Sequence, residues 1–178
     1  MDYILSLITF LPLIGALIIG LFVQGSGSQS SENAKRVSLV TSIIVFLLSL
    51  VMFSDFDKNS SDFQFVEEFL WLGFFNYKLG VDGISVILIL LTTGIMPLVF
   101  LSSWTTDKRV KEYLISFLIL ETLMVGVFVS LDMFLFYVFF EAGLIPMFLI
   151  IGIWGGKERV FASFKFFLYT LLGSILML

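Results

Sequence analysis

Three ionisable side chains stand well inside long apolar stretches: Glu121, Glu141 and Lys165. A carboxylate and an amine in apolar surroundings are groups that can take up and release a proton. The chain has no His and no Cys, so proton chemistry falls to carboxylates, lysine, hydroxyls and water, and thiolate metal or cluster ligation is excluded. A charged side chain at mid-membrane costs roughly 2.5–3.5 kcal/mol on insertion scales, and such residues usually mark ion or proton pathways. Glu141 lies near the middle of its stretch, about 13 Å from one end at helical rise, too deep for so short a side chain to reach water along the helix. Around it the sequence reads FFEAGLIPMF. Pro146 has no N–H and frees the carbonyl of Ala142, and Gly143 loosens the same turn. A loosened helix beside a buried carboxylate is a place to hold water. Glu121 lies about 12 Å into the preceding stretch from its other end. The joint Leu131–Asp132 makes the two stretches antiparallel neighbours. With a hydrocarbon core of about 30 Å, the two carboxylates then differ in depth by about 5 Å, within reach of one or two waters. Lys165 lies about 9 Å into the last stretch; it either snorkels to the interface or turns inward as a cationic partner of Glu141. Tyr169, one turn on, is a hydroxyl relay or plain packing. Each buried charge also has a structural reading, as hydrogen-bonded glue between helices.

The elements that must position these groups are membrane spans. Hydrophobic residues make up 59% of the 178 residues and charged residues 13%, with 22 Phe. Soluble domains carry about 45–50% and about 25%. This balance excludes a soluble globular domain and a disordered chain, and 10 Lys+Arg against 14 Asp+Glu exclude a nucleic-acid binder. Six stretches are long enough to span: 4–23, 37–53, 84–103, 113–130, 132–154 and 160–178. They predict an all-α polytopic transmembrane helix bundle forming one membrane domain over 1–178. The last stretch runs to Leu178 without a polar flank, so the chain is expected to be the N-terminal part of a longer subunit.

Charge orders the loops. Lys35, Arg36, Lys108, Arg109, Lys111, Lys157 and Arg159 fall in the connections 24–36, 104–112 and 155–159, on one side of the bundle. The other side holds Lys58 and Lys78 beside Asp55, Asp57, Asp62, Glu67, Glu68 and Asp82. The positive-inside rule then puts the N-terminus outside. No basic n-region precedes the first span and no A-x-A site follows it, which argues for a retained helix. The Gly/Ser-rich segment 24–36 predicts a mobile loop. In loop 54–83 the aromatics Phe63, Phe65, Phe69, Trp71, Phe74, Phe75 and Tyr77 suit a headgroup region. There Tyr77, Leu79 and Val81 alternate with Asn76, Lys78 and Gly80 around a turn at Gly73, which predicts a short outer hairpin, with an interfacial helix as the rival. Asp82 and Asp132 stand where helix N-caps are expected. Gly152 and Gly156 have the spacing of a close helix contact.

The segments LGVDGISVILILLTT (79–93), FYVFFEAGLIPMFLIIGIWGG (136–156) and FKFFLYTLLGSILML (164–178) resemble the antiporter-like membrane subunits of proton-pumping NADH:quinone oxidoreductase, respiratory complex I. The resemblance runs along the whole chain, and FFEAGLIPMFL is its most specific part. It implies a subunit of about 14 transmembrane helices built from inverted repeats, of which this chain is the first third. It implies proton translocation through Glu141, matching the family's essential glutamate on the fifth helix, with Glu121 and Lys165 matching the glutamate and lysine on the fourth and sixth. The family's lysine on a broken seventh helix falls beyond this chain. The resemblance further implies no cofactor and no metal in this chain, with NADH, flavin, iron–sulfur clusters and quinone bound by other subunits. The implied partners are other membrane subunits of complex I, the sister antiporter-like subunits above all, in a bacterial inner or mitochondrial inner membrane. A multisubunit cation/proton antiporter is the alternative, and a structural membrane scaffold is the third reading.

Overall fold

The computed structural model describes residues 3–23, 28–58, 60, 62–71, 75–106 and 108–177. It contains six long helices, α1 (Ile4–Phe22), α2 (Ser28–Asp55), α3 (Gly83–Ser102), α4 (Val110–Val129), α5 (Met133–Trp154) and α6 (Arg159–Met177). Each is long and apolar enough to cross a membrane. A two-stranded antiparallel hairpin, β1 (Gln64–Trp71) and β2 (Phe75–Val81), separates α2 from α3, and a 3-10 turn at Ser103–Thr105 extends α3. The alternation of Tyr77, Leu79 and Val81 thus belongs to a strand, with Leu79 and Val81 fully buried. The turn expected at Gly73 lies outside the described residues, as do the side chains of Trp71, Phe74 and Phe75.

The segment 28–36 departs from the expected mobile loop: α2 begins at Ser28. Tertiary contacts override the local Gly/Ser composition here. Ala34 is fully buried among Ala16, Ile19 and Leu118, and the Lys35 ammonium donates to the Trp104 carbonyl at 2.6 Å. Glu32 and Arg36 form an exposed i, i+4 pair.

α4 is the central helix and packs against α1, α2, α3 and α5, whereas α6 packs against α5. Phe148 on α5 meets Phe164 and Phe167 on α6 edge-on, at 5.2 and 5.6 Å between ring centroids. Gly152 brings the same two helices close, since a Cβ there would lie 3.3 Å from Ser163 Oγ; Gly156 faces open space and makes no such contact.

The odd-numbered helices begin on the hairpin side and end on the other, and charge follows their dipoles. Asp82 Oδ1 accepts from the Ser85 amide at 2.7 Å and Asp132 Oδ1 from the Leu135 amide at 3.0 Å, so both caps stand where the sequence puts them. Hydrogen bonds from Ser85, its backbone amide first, hold the Asp82 carboxyl below the usual carboxylate range. At the opposite ends, Lys111 donates to the Val23 carbonyl after α1, Lys35 to Trp104 after α3, and Lys108 to Ile153 near the end of α5. Cations at helix C-termini are each favourable by about 0.3–1 kcal/mol at exposed sites. The basic residues that bias orientation therefore also satisfy terminal carbonyls.

Candidate functional site

Glu141 sits half-buried at the middle of α5. One turn earlier on the same face is Tyr137, whose hydroxyl interacts with both Glu141 and Ser174. The Ser174 hydroxyl, from α6, donates to Glu141 Oε1 and also reaches the Leu171 carbonyl. Glu141 is thus the centre of a hydroxyl cluster in the α5–α6 seam. Tyr137 was legible in principle, being four residues before the glutamate on a helix; no spacing in the sequence points to Ser174.

Glu121 is fully buried on α4, and neither of its carboxyl oxygens has a hydrogen-bond partner; the buried Thr122 hydroxyl beside it has none either. The position is a break in the core. Toward the hairpin, Val125 and Val129 join Ile4, Leu5, Ile8, Val86 and Ile89; away from it, Leu114 and Leu118 join Ala16, Ile19, Met96 and Phe100. Between these two apolar clusters the buried hydroxyls Thr9, Ser42, Thr92 and Thr93 fall on α1, α2 and α3. Thr93 is 2.7 Å from the Ser49 hydroxyl across the α2–α3 contact. A carboxyl without partners costs several kcal/mol to bury, so a residue of this kind is expected where function requires it.

The α4–α5 contact fixes the relative depth of the two carboxylates. A Cβ added at Gly126 would lie 2.5 Å from Phe139 Cδ1, and one at Gly143 would lie 4.0 Å from Leu123 Cβ. Antiparallel counting from these contacts puts Glu141 level with Met124–Val125, about 5–6 Å along the axis from Glu121. The structure does not join the two carboxyls directly: Glu141 turns to Ser174 on α6, and Glu121 has no partner.

Pro146 is buried, and α5 remains helical through it, so proline and Gly143 do not break the helix. Gly143 lines an apolar crevice of about 320 Å³ between α4 and α5, walled by Leu123, Met124, Phe139, Phe140 and Leu144. That crevice has too few polar groups to hold water.

Lys165 is exposed, its ammonium 5.9 Å from the Phe161 ring centroid. It stands nine residues before Ser174, half a turn away around α6, and so lies on the face opposite Glu141. Within this chain it is not the glutamate's ion-pair partner. Tyr169 shares that outward face and is 81% exposed. Among the described residues, no group of three or more His, Cys, Asp or Glu is placed to hold a metal ion.

The family described as "NADH:quinone oxidoreductase/Mrp antiporter, TM" matches residues 130–178, which include α5, α6 and Glu141. Over 178 residues the chain is 57% identical to NADH-quinone oxidoreductase subunit M of Rhodobacter capsulatus, covering 100% of this chain and 35% of that protein. It is 51% identical over 176 residues to NADH-ubiquinone oxidoreductase chain 4 of Mycosarcoma maydis, covering 98% of this chain and 36% of that one. Identity to chain 4 of Arabidopsis thaliana is 46% over 178 residues, with 98% and 35% covered. The chain spans about a third of the length of the curated relatives it matches. Six apolar helices and end-to-end identity with these proteins together mean that the chain is homologous along its whole length to about a third of these membrane subunits, with residues 130–178 matching the NADH:quinone oxidoreductase/Mrp antiporter family.

Proposed function

We propose that this chain is the N-terminal part of subunit M, a proton-translocating membrane subunit of NADH:quinone oxidoreductase, and that it moves protons through Glu141 while quinone is reduced elsewhere in the complex. The observation that carries this reading is Glu141 itself. It is a carboxyl at mid-span, hydrogen-bonded by Ser174 and accompanied by Tyr137, in a helix that falls within the matched family segment. Proton transfer needs donors and acceptors within hydrogen-bond reach of a titratable group, and two hydroxyls supply them. Glu121 is the second site, about 5–6 Å away in depth. Its unpartnered oxygens support a role in holding a proton or a water. Lys165 serves as a relay toward further helices of the subunit, a role its outward orientation on α6 supports. No cofactor is assigned to this chain. NADH, flavin, iron–sulfur clusters and quinone belong to other subunits. Its partners are the other membrane subunits of the complex, and its place is a bacterial or mitochondrial inner membrane with the N-terminus outside.

The test is a set of substitutions in the complete enzyme, with assembled complex and proton pumping measured together. Glu141→Gln is expected to assemble and to lose nearly all pumping, with Glu141→Asp keeping part of it. Lys165→Ala should lose less than Glu141→Gln, and Glu121→Gln least, since a water can take over a relay. A scaffold role predicts that Glu141→Gln both assembles and pumps normally, because glutamine keeps the hydrogen bonds; that result would refute the assignment.

A further inference from the structure

The first turns of α3 and α5 carry local carboxylate caps, but α1 does not: Tyr3, at its N-cap position, makes no side-chain capping bond. The cap comes from β1 instead. Glu67 Oε1 accepts from the Leu5 amide at 2.8 Å, and Glu67 Oε2 accepts from the Ser6 amide at 3.2 Å. The Ser6 hydroxyl also donates to Glu67 Oε2 and lies 2.9 Å from the Tyr77 hydroxyl on β2. Glu67 is 4% exposed, whereas Asp55, Asp57, Asp62 and Glu68 are exposed. Burial, eased by the Ser6 bond and aided by the Glu67 charge, raises the Tyr77 hydroxyl above its ordinary pKa; with the Ser6 proton given to Glu67, the Tyr77 hydroxyl is the donor to Ser6.

The hairpin carries this fastening across the bundle. Glu67 pairs in register with Leu79, which is fully buried in the hairpin-side core. Just before Glu67 the register shifts, and Phe65 adopts a left-handed φ of 54°, costly for an aromatic residue. Such strain persists where the surrounding contacts over-determine the chain, and bulges commonly aim a neighbouring side chain. On the far side, β2 grips the joint between α4 and α5. The Leu131 amide donates to the Lys78 carbonyl at 3.0 Å, and Leu79 bridges Ser130. Gly80 leaves room for Leu131, whose Cδ1 would lie 2.6 Å from a Cβ there. One path thus runs from the first turn of α1, through Glu67 and the hairpin, to the corner between the helices that carry Glu121 and Glu141.

We propose that Glu67 is a positioning residue for proton translocation: by capping α1 through the hairpin it fixes the α4–α5 corner, and with it the relative depth of Glu121 and Glu141. The inference rests on the proton-site reading above. A carboxylate suits the place because it offers two acceptors to N–H and O–H donors; glutamine would offer one acceptor and set its own NH₂ against the others. Aspartate keeps both acceptors on a stem shorter by one methylene.

The test uses the complete membrane enzyme. Amide hydrogen exchange is followed in peptides covering 3–8 and 128–133, and protons pumped per NADH oxidised are measured at equal amounts of assembled complex. Glu67→Gln is expected to speed exchange at Leu5 and Ser6 about tenfold, as loss of charge-assisted bonds implies, and to speed it at Leu131 as well, while pumping per NADH falls. Glu67→Asp should lie between it and the parent in all three readouts. An unchanged Leu131 amide would overturn the proposal, as would normal pumping with both regions loosened. If Glu67→Gln does not assemble, Ser6→Ala decides, because it removes the hydroxyl shared by Glu67 and Tyr77 and spares both amides. Faster Leu131 exchange in that variant supports the link, and unchanged exchange refutes it. Failure of the proton-site reading is visible separately, as pumping that survives Glu141→Gln whatever happens at Leu131.

Discussion

Gly126→Ala is the sharpest perturbation of the contact that aligns the two glutamate-bearing helices. The added Cβ would lie 2.5 Å from Phe139 Cδ1 and 2.7 Å from both Cγ and Cε1. Carbon contacts are normally about 3.5–4.0 Å, so three ring atoms overlap it by roughly 1 Å. Phe139 is 7% exposed and has Phe10 beside it, 6.5 Å between centroids, so the ring can yield only toward the crevice between α4 and α5. Overpacking of this kind costs about 1–3 kcal/mol. Removing a glycine from a helix returns about 0.5–1 kcal/mol. The overlap wins, for a net loss of about 1 kcal/mol. The assay is thermal denaturation of the purified enzyme in detergent. Phe139→Leu in the same chain should recover part of the loss, giving a coupling of about 0.5–3 kcal/mol between the two positions. Gly126→Ala equal to or more stable than the parent, or strictly additive with Phe139→Leu, would refute the close approach of α4 and α5.

Two further outcomes follow from the helix ends. Asp132→Ala removes the α5 cap and should cost about 0.5–2 kcal/mol in chemical denaturation, with Asp132→Asn close to the parent. Because the folded Asp82 carboxyl is held below its ordinary range, its contribution is fully present above about pH 4 and is lost as pH falls through the lower folded value. The stability gap between the parent and Asp82→Ala should therefore be constant at neutral pH and close only on strong acidification. For orientation, single cysteines at Ser60 and Thr106 should differ: an impermeant thiol reagent outside intact cells should label the first and not the second, and labelling of Thr106→Cys would reverse the assignment.

The sequence carried the spans well because each is a long apolar run with charge at its flanks. All six helices stand within a few residues of the expected stretches except α2, which begins nine residues early. There the local Gly and Ser composition is overridden, because Ala34 and Lys35 are held by contacts with residues far along the chain. The glutamates were legible for the same reason the spans were, since a charge inside an apolar run has no local explanation. The orientation of Lys165 was not legible, because a lysine six residues into a span reads the same whether it faces inward or outward. Ser174 and Glu67 were missed because their meaning lies in long-range partners. The β1 sequence QFVEEFLW has no clean alternation that would turn Glu67 rather than Glu68 inward; the register with β2 decides it.

If Glu141 carries the translocated proton, it must change its protonation during turnover. Infrared difference spectroscopy of the complete enzyme, oxidised against NADH-reduced, reads the C=O stretch of a protonated carboxyl directly. The expected result is a carboxyl band that is absent in Glu141→Gln, shifted in Glu141→Asp and moved in frequency by Ser174→Ala, which removes the hydroxyl on Glu141 Oε1. A difference spectrum identical in the parent and in Glu141→Gln, from enzyme that turns over in both cases, would contradict it.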